Sequence, residues 1–307
     1  MATPAASAAL RRPLDPLAVG LMLLLTMLWG LQQVAIKLAL HGISPVAQAG
    51  LRSILAALLL VAWAQWRRIP LWHHGDARDG TLAAGLACGA LFAGEFVLIY
   101  SGLAHTTASR MVVFVYLAPI LTALGLAWLV PGETLAPLQW AGVFTAFAGL
   151  VLAFADGFAA SGASTLLGDS FGAIAAVLWA ATTVLIRTSP LAQAKAEKTL
   201  FYQLGVSALL LPPVAWLIGE PGVIRLDATV VASVLFQAVV VAFASYLAWF
   251  WLLTRYLAGR LAVFSFLAPL FGVFFGVLIL REPLSGRFVA AALLVGAGIA
   301  LVNQRRP

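Results

Sequence analysis

The chain is poor in charge. Asp, Glu, Lys and Arg make up 9% of its 307 residues, against 63% hydrophobic residues. A soluble globular chain carries roughly 25% charged residues. So few charges cannot keep that much apolar surface in water, which excludes a soluble fold and leaves an integral membrane protein. Cysteine is nearly missing. Cys88 stands alone in an apolar segment, so there is no disulfide framework and no thiolate cluster for a metal. Histidine is scarce, at four, and His73-His74 sits with Asp76 and Asp79 in a polar stretch that reads as a solvated loop rather than a metal site. No nucleophile elbow, phosphate loop or pair of intramembrane acids occurs, which excludes an ATP-driven pump and speaks against an enzyme. No cofactor and no metal are expected. The net charge of +7 does not point to nucleic acid, because the basic residues fall in short loops and at helix ends.

What the chain has in abundance is repetition. Arg110, Phe114 and Leu117-Ala118-Pro119 recur 150 residues later as Arg260, Phe264 and Leu267-Ala268-Pro269. The same offset pairs Trp29 with Trp179 and Lys37 with Arg187; an offset of 149 pairs Glu133 with Glu282 and Ala148-Gly149 with Ala297-Gly298. A duplicated apolar unit is the usual build of a secondary transporter. Apolar segments of roughly 20 residues, the length that crosses the hydrocarbon core, fall near 16–38, 45–65, 80–103, 108–130, 137–155, 168–187, 199–218, 228–252, 261–280 and 286–304. The run from Pro16 to Leu40 is too long for a signal-peptide core of roughly 7–15 apolar residues, and it carries the Trp and Lys of the repeat. It therefore reads as a retained first span. The expected organisation is a tail over 1–15, a first five-helix unit over 16–155 and a second over 168–304.

Charge counting orients these spans. With the N-terminus inside, the inner segments hold Arg11, Arg12, Arg67, Arg68, Arg78, Arg187, Lys195, Lys198, Arg255, Arg260, Arg305 and Arg306. The outer ends hold Lys37, Arg110, Arg225, Arg281 and Arg287, and Arg52 falls within the second span. Twelve against five places both termini in the cytoplasm. Five spans per unit is an odd number, so the halves run in opposite senses. The expected fold is an all-α membrane protein of ten transmembrane helices in two inverted five-helix repeats, with a substrate site near the midplane.

Trp29-Gly30-Leu31-Gln32-Gln33-Val34-Ala35-Ile36-Lys37 resembles the first-span signature of the EamA family in the drug/metabolite transporter superfamily. The stretch from Leu103 through Thr106-Thr107-Ala108-Ser109-Arg110 and Leu117-Ala118-Pro119 to Gly132-Glu133 resembles it too, and the second copy repeats it from Leu253 to Arg281-Glu282. The likeness covers the chain from Pro16 onward. It departs only where Trp179-Ala180 stands for Trp29-Gly30 and Arg281 for Gly132. Among bacterial members the chain is similar to the YddG-type amino-acid exporters. The resemblance implies a secondary transporter of the bacterial inner membrane that moves small metabolites outward, most plausibly neutral or aromatic amino acids. The other cargoes in view are a nucleotide sugar, a sugar phosphate or a cationic drug. A lipid scramblase or a scaffold subunit is the reading from outside transport. The expected partners are a small-molecule substrate and the lipid bilayer, with no nucleic acid.

Several residues qualify as cavity-lining candidates. Trp29, Gln33 and Lys37 share a helical face by their spacing of four, and Trp179, Thr183 and Arg187 repeat the arrangement. An aromatic ring with an amide or hydroxyl on one stripe suits a ligand with an apolar side chain and a polar head; packing is the alternative, and Lys37 and Arg187 read as end-of-helix charges. Glu95 is the one acid deep inside a span, at a cost of about 2.5–3.5 kcal/mol at the bilayer centre. It suits proton coupling, a partner for a substrate ammonium, or a structural pair with Arg52. Tyr100, Tyr116, Tyr246, Trp249 and Phe266 are further aromatic candidates. Pro119 and Pro269 lack an N–H, freeing the carbonyls of Val115 and Ser265, and read as helix kinks. Gln48, Gln203 and Gln237 read as glue between helices. Gly142, Gly149, Gly296 and Gly298 read as close-packing positions or a dimerisation surface. The lining is expected from the first, third, fourth, sixth, eighth and ninth spans.

Overall fold

A computed structural model describes residues 12–71, 79–103, 105–158, 163–281 and 286–304. Most of the N-terminal tail, His73, His74, Asp76, Arg78, Glu282, Arg305 and Arg306 therefore lie outside the described residues. Among the described residues the chain is helical, without strands: α1 Pro16–Ala39, α2 Pro45–Trp66, α3 Thr81–Leu103, α4 Ala108–Val115, α5 Ala118–Leu129, α6 Pro137–Ala153 and α7 Ala163–Thr188. There follow α8 Ala196–Leu217, α9 Ala228–Leu235, a π-helical segment Phe236–Ser245, α10 Tyr246–Arg255, α11 Ala258–Phe264, α12 Leu267–Leu280 and α13 Phe288–Asn303.

Eight stretches are long and apolar enough to cross a membrane, with α4–α5, α9–α10 and α11–α12 each counted as one. The fifth and tenth expected spans are shorter than the sequence suggested, because α6 has 17 residues and α13 has 16. At 1.5 Å per residue they reach about 24–26 Å, against about 30 Å of hydrocarbon. The sixth begins at Ala163, five residues before the expected start. Trp66, Trp128 and Trp216, at or near the C-terminal ends of α2, α5 and α8, are among the most exposed side chains, the placement of an interfacial aromatic belt.

Local chemistry sets the boundaries. Pro16, Pro45 and Pro137 open α1, α2 and α6, where a missing N–H costs nothing. Asp15 accepts from the Ala18 N–H at 2.9 Å, and Asp227 from that of Val230 at 3.0 Å. The N-terminus of α2 is capped from the other repeat: Glu220 accepts from the Val46 and Ala47 N–H groups and from the Ser44 hydroxyl at 2.8–3.0 Å. The fourth and ninth spans break in the same place. α4 ends at Val115 and α5 starts at Ala118, beside Pro119; α11 ends at Phe264 and α12 starts at Leu267, beside Pro269.

The chain divides into two compact units that cut across the repeats. One comprises Met1–Leu31, Leu98–Val184 and Arg255–Pro307, the other Gln32–Val97 and Leu185–Thr254. Each is built around a pair of repeat-related helices. In the first unit α6 packs along α13, and in the second α2 packs along α8. The α6–α13 pair is antiparallel. A Cβ added at Gly142 would come within 2.6 Å of the Gly298 carbonyl oxygen, and one at Gly149 within 2.8 Å of that of Ala291. Gln139 ties the ends together, its amide donating to the Val302 carbonyl at 3.0 Å. Gly296 does not belong to this seam; a Cβ there would meet open space. In the same unit Gly30 lies against Gly272 and Ala268 of α12, which accounts for Gly at this position, where the second copy has Ala180.

Candidate functional site

In the first unit the structure brings three of the candidate aromatics together. Tyr116, in the break between α4 and α5, stands 5.6 Å from Trp179 of α7, edge to face, and 6.5 Å from Phe266 in the matching break of the other repeat. Phe147 of α6 backs Phe266 at 6.2 Å. Tyr116 and Trp179 are half-buried, while Phe266 is fully buried. Met111, Val115 and Ala175 form the apolar floor under Tyr116 and Trp179. These centroid separations fall in the range of favourable aromatic pairs. Thr183, one turn beyond Trp179, directs its hydroxyl to the Trp179 carbonyl at 3.5 Å. Trp29 and Tyr100 are half-buried in the same unit.

Next to this cluster the unit holds a buried ion pair that the sequence reading missed. Arg110 was counted as an outer-end charge; instead it is 5% exposed and grips Asp169 of α7 through Nε and Nη2. The Thr106 hydroxyl donates to the same carboxylate at 2.7 Å, and the guanidinium lies 4.4 Å from the centre of the Phe158 ring. Asp169 has no acidic repeat partner, since Val19 stands 150 residues earlier. The signal available was an Asp inside an apolar helix, which calls for a cation nearby.

The second unit holds Glu95 and Tyr246, and the residue that organises them is Arg52. Arg52 of α2 is 0% exposed. Its guanidinium stands 4.5 Å from the centre of the Phe96 ring. It lies within electrostatic reach of Glu95 on α3 and Tyr246 on α10, yet none of its three nitrogens meets an acceptor at hydrogen-bond geometry. Phe92 packs edge-on against Tyr246 at 6.1 Å. Gln48, one turn before Arg52 on the same face, has both amide atoms buried without a partner, and Gln237 in the π-helical segment has an unpartnered buried Nε2. Of the glutamines expected to glue helices, Gln48 therefore makes no hydrogen bond through its amide, and Gln237 makes none through its Nε2. The π-helical segment widens the backbone beside α2, a distortion that recurs at functional sites.

Other candidates fall elsewhere. Gln33 and Lys37 are exposed on α1, and Gln32 is the buried amide of that turn. Arg187 lies in the last turn of α7, as expected of an end-of-helix charge, and is buried there, donating to the Leu253 carbonyl at 2.8 Å. Lys198, counted as an inner-loop charge, is 8% exposed and donates to Asp79 at 2.7 Å. Burial of Arg260, at 7%, likewise removes it from the surface.

With this geometry in view, the comparisons with known proteins are specific. The EamA-like transporter family matches residues 16–155 and again 166–304. An uncharacterized transporter of Archaeoglobus fulgidus is 29% identical over 93% of this chain and 97% of its own length. Probable amino-acid metabolite efflux pumps of Salmonella typhimurium and Escherichia coli are 27% and 25% identical, each over 91% of this chain and 92% of their own length. One solved structure, described as a crystal structure of a protein, superposes with a TM-score of 0.80 at 22% identity, covering 94% of this chain and 96% of its own; that likeness speaks for the fold alone. The chain belongs to the EamA-like transporter family of the drug/metabolite transporter superfamily, and is a multi-pass membrane transporter.

Proposed function

We propose that this protein exports neutral or aromatic amino acids across the bacterial inner membrane by alternating access around a midplane cavity. In this reading ten helices cross the membrane in two inverted five-helix repeats, α6 and α13 included, and both termini are cytoplasmic. Antiparallel packing of the repeat-related α6 and α13 supports the inversion. The names of the two efflux pumps support metabolite export.

The observation that carries the cargo class is the meeting of Tyr116, Trp179 and Phe266. Tyr116 and Phe266 occupy equivalent places in the two repeats, each three residues before the proline that breaks its span. Breaks of this kind serve as flexion points. A half-buried aromatic wall mounted on them suits an apolar amino-acid side chain that must be bound and then released. Trp29, Tyr100 and Thr183, in the same unit, complete the set of lining candidates there.

Counterflow into proteoliposomes preloaded with amino acids, sugars and nucleotide sugars tests this. Uptake of a labelled neutral or aromatic amino acid, driven by the same compound inside, is the expected result. Exchange with only a sugar or a phosphorylated compound would keep the transporter and discard the amino-acid cargo. Lipid scrambling without solute exchange would discard both.

A further inference from the structure

Arg52 is unlike the other buried cations of this chain that are described in contact. Arg110 has Asp169, Lys198 has Asp79, and Arg187 has the Leu253 carbonyl. Arg52 is the most deeply buried of them; the Tyr246 hydroxyl lies beside it, but none of its nitrogens makes a hydrogen bond of good geometry. A buried guanidinium presents five donors in a planar fork, and leaving them unmet is costly. Phe96 attracts the face of the fork but accepts nothing from its edge. Glu95 lies within electrostatic reach of the guanidinium but makes no hydrogen bond to it.

The repeat shows which parts of this cluster are frame and which are specific. Phe96 and Tyr246 are partners at the offset of 150, so each repeat brings one aromatic residue to the guanidinium. The charged groups are not duplicated: Arg52 corresponds to Tyr202 and Glu95 to Ser245. Gln48 and Gln237 add three buried amide atoms without partners. A site with one fixed cation, one buried carboxyl group, spare amide groups and a half-buried aromatic rim is built for a small zwitterion.

We infer that Arg52 is the seat of the cargo's carboxylate, and that Glu95 takes its ammonium group. The fork of Arg52 matches the two oxygens of a carboxylate as no amide or hydroxyl does. Gln48, one turn before Arg52 on α2, supplies an amide hydrogen at the edge of that carboxylate, and Phe96 and Tyr246 border it. No bond is made or broken; the step is binding. The inference deepens the amino-acid reading and rests on it for the cargo's identity, whereas the carboxylate chemistry of Arg52 stands on its own.

The test is equilibrium binding of tritiated L-phenylalanine and tritiated 3-phenylpropionate to purified full-length protein. Unlabelled 3-phenylpropionate, which keeps only the carboxylate, and 2-phenylethylamine, which keeps only the ammonium, serve as competitors. Arg52→Lys keeps the charge and loses the fork. It is expected to weaken phenylalanine and 3-phenylpropionate about tenfold or more while leaving 2-phenylethylamine unchanged. Glu95→Gln is expected to weaken phenylalanine and 2-phenylethylamine and to spare 3-phenylpropionate. This reciprocal pattern cannot come from misfolding, which lowers all three together. Unchanged 3-phenylpropionate binding in Arg52→Lys overturns the inference, as does an equal loss of all three ligands in both variants. So does a wild-type protein that binds none of them at millimolar concentration. If phenylalanine fails in wild-type protein but 3-phenylpropionate binds through Arg52, the amino-acid cargo falls and the carboxylate site stands. If amino acids exchange in counterflow with Arg52→Lys at wild-type half-saturation, the site falls and the cargo stands.

Discussion

Gly142 lies against Gly298 so closely that a methyl group on either would press into the backbone of the other helix. The contact has a mirror. At the repeat offset of 149, Gly142 corresponds to Ala291 and Gly149 to Gly298. Gly149 duly lies against Ala291, with 2.8 Å left for a Cβ before the Ala291 carbonyl oxygen. When residue i touches the counterpart of j, and j touches the counterpart of i, the contact is that of two copies related by a two-fold axis. Tyr116 meeting Phe266, its own counterpart, has the same character.

The seam gives the first prediction. Gly142→Ala and Gly298→Ala force α6 and α13 apart and are expected to destabilise the protein by about 1–3 kcal/mol, the usual range for overpacking. Gly296→Ala, two residues from Gly298 but facing open space, is expected to be neutral or slightly stabilising, because Ala is the better helix former. Thermal unfolding of the three purified variants decides it. Equal melting temperatures for Gly142→Ala and Gly296→Ala would show that the close approach has no energetic weight.

How much of this could be read from the sequence differs by residue. The duplication, the helical spans and the breaks beside Pro119 and Pro269 were legible, because periodic apolarity and proline chemistry act locally. Pairings between helices were not. Arg110 looked like a loop charge because its partner Asp169 lies 59 residues away on another helix. Glycine composition alone could not separate Gly296 from Gly298, since residues two apart point about 200° from each other around a helix and so face different neighbours. Gln48 and Gln237 looked like interhelical glue, yet whether an amide finds a partner depends on side-chain placement that spacing does not determine.

The Arg110–Asp169 pair gives the second prediction. Removing one partner leaves the other charge buried and unmatched. Asp169→Asn and Arg110→Met are therefore each expected to cost about 3–5 kcal/mol. Replacing both, as Arg110→Met with Asp169→Leu, is expected to cost clearly less than the sum of the singles, because no charge is stranded. A double-mutant cycle on the unfolding midpoint measures the difference. Additive losses would mean that the two groups do not depend on each other.

Acid should act through Asp79. Lys198 donates to its carboxylate, and the Thr81 N–H and hydroxyl add two more bonds. Led by the Lys198 contact, these hold the Asp79 carboxyl down at about 2, below its ordinary 3.8. Because the folded-state value is depressed, the stabilisation is complete above the ordinary value and is lost as pH falls toward about 2. Asp79 is 44% exposed, so solvent screening keeps the effect small. The melting difference between wild type and Asp79→Asn is expected to stay constant from neutral pH down to about 5, then to narrow on further acidification. A difference that widens in acid would reverse the assignment.

The proposed seating of the cargo ammonium on Glu95 makes a prediction about pH. It faces Arg52 from α2 and Tyr246 from α10, and among these three groups it is the only carboxylate. If the cargo ammonium seats on Glu95, a proton on that carboxylate excludes the cargo, and the two compete for one site. Acidifying the medium is then expected to raise the half-saturation concentration for amino-acid exchange in wild-type proteoliposomes while leaving the maximal rate little changed. Glu95→Gln cannot bind the proton, so its half-saturation should be high at every pH and independent of it. Arg52→Lys keeps the carboxylate and should keep the pH dependence, displaced to higher cargo concentration. Exchange assayed across a pH series for the three proteins separates the roles. A Glu95→Gln variant with the wild-type pH profile would remove Glu95 from proton coupling, and a flat profile in wild type would mark the export as facilitated diffusion.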